Sequence, residues 1–200
     1  GGFGGANPAG RFLTVLRKEG AALGVSSSTE GDGGAVFVPS ASVPAAAGRA
    51  TNSPLTGPRI WSVDAPANVP QIALGTEDYN RLVRMIQEGG KLKMAAEMDV
   101  KFTRDDLMAY NTVAEIPGTD LKREVVMIGA HLDSWHAGTG ATDNGAGVAA
   151  TMEAMRILKT LDLKPRRTIR IGLWSGEEQG LMGSRAYVSN HFGYFPGGGG

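Results

Sequence analysis

The sequence contains no cysteine, and this absence excludes several classes of protein. A disulfide-stabilised scaffold, a zinc site built from thiolates and a cysteine nucleophile are all ruled out. Basic and acidic residues number 20 each, so the formal net charge is zero. A balanced charge gives no electrostatic footprint for nucleic acid or for an anionic membrane. We therefore expect no nucleic-acid partner.

Long apolar runs are missing as well. No stretch approaches the ~18 apolar residues of a transmembrane helix, so no membrane span is predicted. The sequence starts without methionine and without a signal-peptide core. Glycine, in contrast, is abundant at 30 of 200 residues, and nine of these glycines lie within residues 1–10 and 197–200. Because a glycine-rich segment stands at each end of the sequence, we expect a fragment of a longer protein.

Hydrophobic periodicity divides the chain into two parts. In the first part it predicts a helix over 11–23, a short strand over 35–38, a proline-rich connection over 39–70, a helix over 77–88 and a strand with one buried face over 91–102. Thr76 is expected to cap the second helix, and Gly89 and Gly90 to end it. The first part is therefore predicted to be a small α+β domain over residues 1–106.

The second part alternates strands with helices. Strands are predicted over 110–116, 125–130 and 168–174, and helices over 145–160 and 183–191. The apolar run 125–130 is typical of a strand buried on both faces, and the helix is expected to turn Val148, Met152, Met155 and Leu158 inward. This alternation predicts an α/β domain over residues 107–200, with a mainly parallel sheet and flanking helices. In such sheets the functional groups lie at the carboxyl ends of the strands.

Two loops that directly follow predicted strands hold most of the chemically suggestive side chains. The first contains His131, Asp133 and Asp143, and the second contains Glu177 and Glu178. His131 could offer a nitrogen to zinc, while Asp133 accepts its other ring N–H. Asp143 could bridge two metal ions, and the neighbouring glutamates are expected to diverge, so that one binds metal and the other acts as general base. Zinc suits such donors, with manganese and cobalt as alternatives.

Each feature alone also fits a structural interpretation. A histidine near an aspartate is often a surface pair, two adjacent glutamates often lie on a solvated face, and glycines often form tight turns. Acidic side chains at the ends of adjacent buried strands are not typical of a solvated face. The combination therefore favours a metal site. His136 is interpreted as pocket-lining or structural, and His191 as structural.

The two loops carry a resemblance to a known family. HLDSWHAGTGATDNGAG and LWSGEEQGLMGSRAYV resemble the core of the di-zinc exopeptidases of metallopeptidase family twenty-eight, especially members with a protease-associated domain. The resemblance covers residues 107–193, and both the 12 positions from His131 to Asp143 and the 35 from there to Glu178 are typical of the family. Residues 11–105 resemble the protease-associated domain through VPQIALGTEDYNRLVRMI and the predicted strand after it.

The resemblance implies a role for each candidate. His131 would bind one zinc ion, Glu178 would bind the other, and Asp143 would bridge both. Glu177 would be the general base that activates the bridging water and passes its proton to the leaving amine, and Asp133 would orient the histidine. Two zinc ions, a peptide substrate and export from the cell are implied too. The family's two further ligands, an aspartate and a histidine, have no matching positions in this sequence.

The two loops and the resemblance predict a zinc-dependent exopeptidase, and the resemblance implies action at a free N-terminus, the commonest activity in that family. A carboxypeptidase or dipeptidase on the same metal core is the first alternative, and a non-catalytic interaction module is an alternative of another class. Gly145, Gly147 and Ala150 fit the dinucleotide-binding pattern G-x-G-x-x-A, but the predicted strand ends well before them. Ser175 stands in G-x-x-S-G, which differs from the nucleophile elbow of serine hydrolases.

Overall fold

The computed structural model describes residues 8–28, 40–44, 61–63, 65–136 and 138–193. The chain divides into two units, Gly1–Val100 and Lys101–Gly200. The strand expected over 35–38 lies outside the described residues, as does much of the proline-rich connection. Within the described ranges, no helix has the length and apolar character needed to cross a membrane.

The described part of the first unit contains α1 (Pro8–Lys18), β1 (Gly24–Ser28), β2 (Gln71–Gly75) and α2 (Thr76–Gln87). Strands β1 and β2 pair in parallel, from Gly24 opposite Gln71 to Ser28 opposite Gly75. Helix α1 begins at Pro8, which a helix tolerates in its first turn because the N–H there has no intrahelical partner. Both predicted helices are thus confirmed, although α1 ends earlier than expected.

Helix α2 differs from its prediction at the N-terminal cap. Gly75 is the cap residue, and it makes no side-chain capping bond. The hydroxyl of Thr76 instead donates to the carbonyl of Ser28, at the end of β1. The predicted cap is therefore wrong, and this hydroxyl ties the helix to the neighbouring strand. Glu77 and Asp78 lie in the first turn, where the helix dipole favours negative charge, and the helix ends before the glycine pair as predicted.

In two segments of the first 102 residues, the apolar side chains are more exposed than the sequence periodicity predicts. In α1, Phe12 and Val15 are exposed, while Leu13 is buried. Residues 91–102 are exposed and form no strand, so the strand predicted there is wrong. A strand needs a neighbour to receive its backbone hydrogen bonds, and no described residue pairs with this segment. Alternation alone cannot supply that neighbour.

The described part of the second unit contains β3 (Thr112–Ile116), β4 (Leu121–His131), α3 (Ala146–Thr160), β5 (Arg167–Trp174) and α4 (Met182–Phe192). Each of these elements coincides with a predicted one. Helix α3 connects β4 to β5 and packs against both strands, and α4 packs against β5. The three strands form one sheet in the order β3–β5–β4, so β5 is its central strand.

The sheet is mixed, whereas the sequence predicts a mainly parallel one. Strand β4 runs parallel to β5, but β3 runs antiparallel to it. The cause is the short link 117–120, which reverses the chain and leaves no room for a crossover helix. This link crosses the start of β5, where the N–H of Gly118 donates to the hydroxyl of Thr168 at 3.0 Å and the N–H of Thr119 donates to the carbonyl of Pro165 at 3.0 Å.

Burial is concentrated around β5 and the last residues of β4. The buried apolar side chains of this unit are Ala130, Ile171, Leu173 and Tyr187. In the first half of β4, Val125 is 40% exposed and Val126 is 48% exposed, so the prediction of a strand buried on both faces is wrong there. Met152 of α3 is exposed rather than inward. The protected end of the sheet is therefore the end from which the two candidate loops emerge.

Candidate metal centre

The two candidate loops begin side by side at the carboxyl ends of β4 and β5. His131 and Trp174 are the last residues of these strands, and they lie opposite each other in the register. The backbone N–H of Leu132 donates to the carbonyl of Trp174 at 2.7 Å, which continues the pairing by one residue. Because parallel strands in register end at the same edge, the side chains that follow them converge.

The imidazole of His131 forms the buried centre of the site. Its Nδ1 lies 3.0 Å from the backbone carbonyl oxygen of Asp133 and 3.5 Å from Oδ1 of the same residue. The carbonyl is thus the closer acceptor for an Nδ1–H, and it holds the ring more directly than the carboxylate suggested by the sequence. A hydrogen bond at Nδ1 leaves Nε2 as the ligand atom.

Carboxylates from both loops face Nε2 of His131. Oδ1 of Asp143 lies 2.9 Å from Nε2, and Oε2 of Glu177 lies 3.7 Å from it. His131, Glu177 and Glu178 can each present one ligand atom such that all three atoms lie within 4.8 Å of one another. The fold therefore brings together residues that are up to 47 positions apart in the sequence.

The carboxylate of Asp133 connects the first loop to the second. Its Oδ1 accepts the backbone N–H of Glu177 at 3.0 Å, and its Oδ2 accepts that of Glu178 at 3.1 Å. Hydrogen bonds to an ionised acceptor are stronger than those between neutral groups. Both oxygens of one side chain thus fix the backbone that carries the glutamate pair.

A tight turn explains why the glutamate side chains converge rather than diverge. The carbonyl of Glu177 accepts the N–H groups of Gly180 at 2.8 Å and Leu181 at 2.9 Å. Gly176 precedes the pair with a φ of +66°, in the left-handed region that glycine adopts readily. Neighbouring side chains point to opposite sides only in an extended strand, so in this turn both can reach the same imidazole. The predicted divergence is wrong.

Asp143 reaches the site from a distorted turn, Ala141–Gly145, that precedes α3. Its backbone is extended, with φ −119° and ψ 95°, and its peptide bond to Asn144 is cis. Gly140 adopts a φ of +67°, and its carbonyl accepts the N–H of Gly145 at 2.7 Å. This closed turn presents Asp143 to the imidazole while leaving its side chain 75% exposed.

The charges of the site shift two pKa values upward. Burial lowers the pKa of His131, but the Asp133 carbonyl and the surrounding carboxylates raise it, so that the net pKa lies above the ordinary value. For Glu178, burial is the largest cause of a raised pKa, followed by the negative charges of Asp143 and Glu177. Nearby negative charge contributes to both raised pKa values, and a bound cation would compensate that charge.

The distances and donor types fit zinc. With zinc–ligand bonds of about 2.0–2.2 Å, the ligand atoms of a tetrahedral site lie about 3.3 Å apart. Nε2 of His131 lies 2.9 Å from Oδ1 of Asp143, close to this value, and an oxygen of Glu178 lies within 4.8 Å of a ring nitrogen of His131. Imidazole and carboxylate without thiolate are donors typical of catalytic zinc. The residues present therefore fit a zinc ion.

The other histidines of the sequence contact aromatic side chains. His136 is exposed, and its ring centroid lies 5.1 Å from that of Trp135. His191 stacks on Tyr187 with a centroid distance of 4.1 Å, and its Nδ1 lies 2.8 Å from the carbonyl oxygen of Tyr187. These contacts agree with the structural interpretation of His191.

The geometry also bears on two alternatives. Strand β4 ends at His131 and α3 begins at Ala146, so a long loop separates the strand from the helix that contains G-x-G-x-x-A. A dinucleotide-binding turn follows its strand directly, and the structure does not provide that arrangement. The hydroxyl of Ser175 donates to the carbonyl of Tyr110, so it is engaged with the main chain.

Sequence reasoning missed Asn111, which lies directly before β3 at the base of the second loop. Its side-chain oxygen accepts the N–H of Ser175 at 3.1 Å, and its side-chain nitrogen donates to the carbonyl of Gly183 at 2.9 Å. These partners are 64 and 72 positions away, so no local pattern marks the residue.

Comparisons with known proteins agree with this geometry. The model of peptidase family M28 matches residues 111–194. Carboxypeptidase Q of Xenopus laevis is 40% identical over 139 residues, which cover 70% of this chain and 29% of that protein. The probable leucine aminopeptidase 2 of Arthroderma benhamiae is 36% identical over 123 residues, or 62% of this chain and 24% of that protein. A crystal structure of a peptidase M28 precursor from Shewanella amazonensis SB2B has a TM-score of 0.50 and 34% identity, covering 65% of this chain and 29% of that one.

A mixed sheet whose adjoining strand ends gather an imidazole and several carboxylates defines an α/β domain with a candidate metal site. Residues 111–194 of this chain belong to peptidase family M28. The chain spans less than a third of the length of the relatives that it matches. The likeness of residues 11–105 to a protease-associated domain stays a prediction.

Proposed function

We propose that the chain carries the metal centre of a zinc-dependent exopeptidase, which hydrolyses a terminal bond of peptides or dipeptides. The observation that carries the proposal is the position of Nε2 of His131, which faces Asp143 at 2.9 Å and Glu177 at 3.7 Å. These groups lie at adjoining strand ends, where α/β proteins hold their ligands. Membership of a peptidase family favours peptide hydrolysis over other zinc chemistry.

His131, Asp143 and Glu178 are the proposed zinc ligands. The exposed side chain of Asp143 leaves an oxygen open to a second ion. A carboxylate shared by two metals is typical of centres that stabilise both the attacking and the leaving oxygen, so we propose two zinc ions. The family resemblance implies two further ligands, an aspartate and a histidine, for which this sequence offers no candidate.

Glu177 is the proposed general base. Zinc, when bound, polarises the scissile carbonyl group and lowers the pKa of a water molecule. Glu177 would take a proton from a water molecule as the water oxygen bonds to the scissile carbonyl carbon, and would pass this proton to the nitrogen of the leaving amine as the C–N bond breaks. Its backbone N–H is held by Asp133 at 3.0 Å, which keeps the base beside the proposed metal position.

Action at a free N-terminus is proposed from the family resemblance, with a carboxypeptidase or dipeptidase as the alternative. The relatives include proteins named for each direction, a carboxypeptidase Q and a probable leucine aminopeptidase. The metal core is common to both activities, so the direction depends on residues that contact the substrate terminus. Export from the cell is proposed on the same resemblance.

A matched set of substrates tests the proposal. The zinc-loaded protein is incubated with leucine anilide, its N-acetyl form, a free dipeptide and an N-acetylated dipeptide. We expect hydrolysis of the two substrates with free amines, loss of activity with a chelator and recovery on adding zinc. Hydrolysis of the acetylated dipeptide would favour a carboxypeptidase. A zinc-loaded protein that cleaves none of the four would contradict the proposal and favour a non-catalytic interaction module.

A further inference from the structure

The loop between β5 and α4 closes on itself beneath the glutamate pair. The N–H of Gly183 donates to the carbonyl of Ser175 at 2.8 Å, and the N–H of Met182 donates to that of Gly176 at 2.9 Å. Residues 175–183 therefore form a loop whose ends meet. Glu177 and Glu178 lie on this loop, so their positions depend on what holds its closed ends.

The side chain of Asn111 holds both ends at once. Its oxygen accepts the N–H of Ser175 at 3.1 Å, and its nitrogen donates to the carbonyl of Gly183 at 2.9 Å. The space around Gly183 is filled, since a Cβ there would collide with the Asn111 oxygen and the Ser175 carbonyl. The main chain next to Asn111 contributes as well, because the carbonyl of Tyr110 accepts the hydroxyl of Ser175.

The amide of Asn111 satisfies both contacts. The N–H of Ser175 requires an acceptor, and the carbonyl of Gly183 requires a donor. Asparagine supplies one of each, separated by the width of the amide group. Aspartate would keep the acceptor and lose the donor, while alanine would lose both.

The glutamate pair is thus held from two sides. On one side, the carboxylate of Asp133 accepts the N–H groups of Glu177 and Glu178 at 3.0 Å and 3.1 Å. On the other side, Asn111 fixes the closed ends of the same loop. The contacts of Asp133 come from the end of β4, and those of Asn111 come from the start of β3. Residues next to two strands of the sheet therefore hold the loop.

We propose that Asn111 is a positioning residue for the metal centre, which acts by fixing the loop that carries Glu177 and Glu178. The inference rests on the proposed function only in taking these glutamates as base and ligand. The side-chain hydrogen bonds of Asn111 go to the main chain of Ser175 and Gly183, so it acts through the loop. Groups that orient the residues around a metal commonly contribute about 10–100-fold to metal affinity or activity.

Two substitutions in the whole chain, Asn111→Ala and Asn111→Asp, test the inference, with Asn190→Ala on the exposed surface of α4 as the matched control. Amide hydrogen exchange of residues 175–183 reports on the loop, and zinc titration reports on the centre. We expect roughly tenfold faster exchange in this loop, since each lost hydrogen bond changes an opening equilibrium by about that factor. We also expect zinc affinity to fall about 10–100-fold.

The absorption spectrum of the cobalt-loaded protein separates positioning from simple stabilisation. At saturating cobalt, a displaced glutamate changes the visible bands, whereas a correctly held one leaves them as in the parent chain. Faster exchange with unchanged zinc affinity and unchanged bands would overturn the proposal, as would variants that match Asn190→Ala in every measurement. If Asn111→Ala does not fold, the same measurements on Asn111→Asp test the proposal. No readout uses peptide hydrolysis, so failure of the proposed function is seen separately.

Discussion

Nε2 of His131 lies 2.9 Å from Oδ1 of Asp143, although one residue ends a strand and the other lies in a distorted turn before a helix. The loop between them folds back at Gly140, which adopts the left-handed conformation and whose carbonyl accepts the N–H of Gly145. The same imidazole meets the glutamates of a second loop, which begins at the neighbouring strand. Four measurements test the roles assigned to the groups of the site, and a fifth tests the sheet that carries them.

Replacement of His131 by alanine should abolish tight zinc binding. The loss should exceed a hundredfold, because even removal of a group that only orients a ligand costs about 10–100-fold. Titration with zinc against a competing chelator measures the effect. The exposed His136 provides the matched control, and His136→Ala should bind zinc like the parent chain. Equal affinities for the two variants would remove His131 from the ligand set.

Glu177→Gln distinguishes a base from a ligand. As a general base, Glu177 contributes about 10²–10⁴-fold to the rate, so hydrolysis of a free-amine anilide should fall by that factor while zinc affinity stays nearly constant. As a ligand, it would lower zinc affinity first. The substitution Glu88→Gln, at an exposed position just after α2, controls for loss of a negative charge. An undiminished rate in Glu177→Gln would contradict the assignment.

Asp133→Asn separates the carboxylate from the main-chain carbonyl of the same residue. The carbonyl still accepts Nδ1–H of His131, but the new amide turns an NH₂ group toward the N–H of Glu177 or Glu178. Amide exchange at these two positions should accelerate, and zinc affinity should fall about 10–100-fold. Asp99→Asn, at an exposed position, serves as the control. Unchanged exchange would show that the carboxylate does not hold the loop.

Zinc affinity and metal-free stability should respond to pH in opposite directions. The pKa values of His131 and Glu178 are raised above their ordinary values of 6.5 and 4.5, so the folded metal-free chain binds more protons than the unfolded chain. Its stability should therefore decrease as the pH rises through these windows. Zinc must displace the same protons, so its affinity should increase over the same range. Thermal melts at several pH values measure the stability of the metal-free chain, and calorimetric titrations measure its zinc affinity. If both quantities changed in the same direction with pH, the assignment of His131 and Glu178 as zinc ligands would be contradicted.

Thr168→Val tests the link between β3 and β4. The buried hydroxyl of Thr168 accepts the N–H of Gly118 at 3.0 Å and donates to the carbonyl of Lys122 at 2.8 Å. Valine leaves both partners without this bond, which should cost about 1–3 kcal/mol of unfolding free energy. Denaturant unfolding measures the change. Thr112→Val, on the exposed strand β3, should have almost no effect, and equal losses in both variants would argue against a special role for the link.

Local patterns were sufficient to predict the elements of the second unit and the loops that carry the site. Apolar runs and glycine breaks in the sequence indicate β4, α3 and β5. Because parallel strands end at the same edge of a sheet, the sequence also predicts that His131 lies near Glu177. The prediction succeeded because each inference depends on residues close in sequence or on a general property of βαβ units.

Burial and pairing partners could not be predicted in the same way. Residues 91–102 alternate as a strand should, but they have no paired neighbour among the described residues. Val126 belongs to an apolar run that is typical of a strand covered on both faces, yet it is 48% exposed. The contacts of Asn111 join residues more than 60 positions apart. Such features depend on which distant segments meet, and periodicity within a window carries no information about that.

The insertion of β5 between β3 and β4 also has a kinetic consequence. In the finished sheet two strand spacings, or about 9.6 Å, separate β3 from β4, so the native pairing of both strands requires β5. Glu115 meets its partner Arg170 only after α3 has been made. The sheet and the cluster around His131 are therefore incomplete until β5 and the glutamates after it have been made, and a chain stalled during synthesis before residue 167 should bind zinc more weakly than the whole chain.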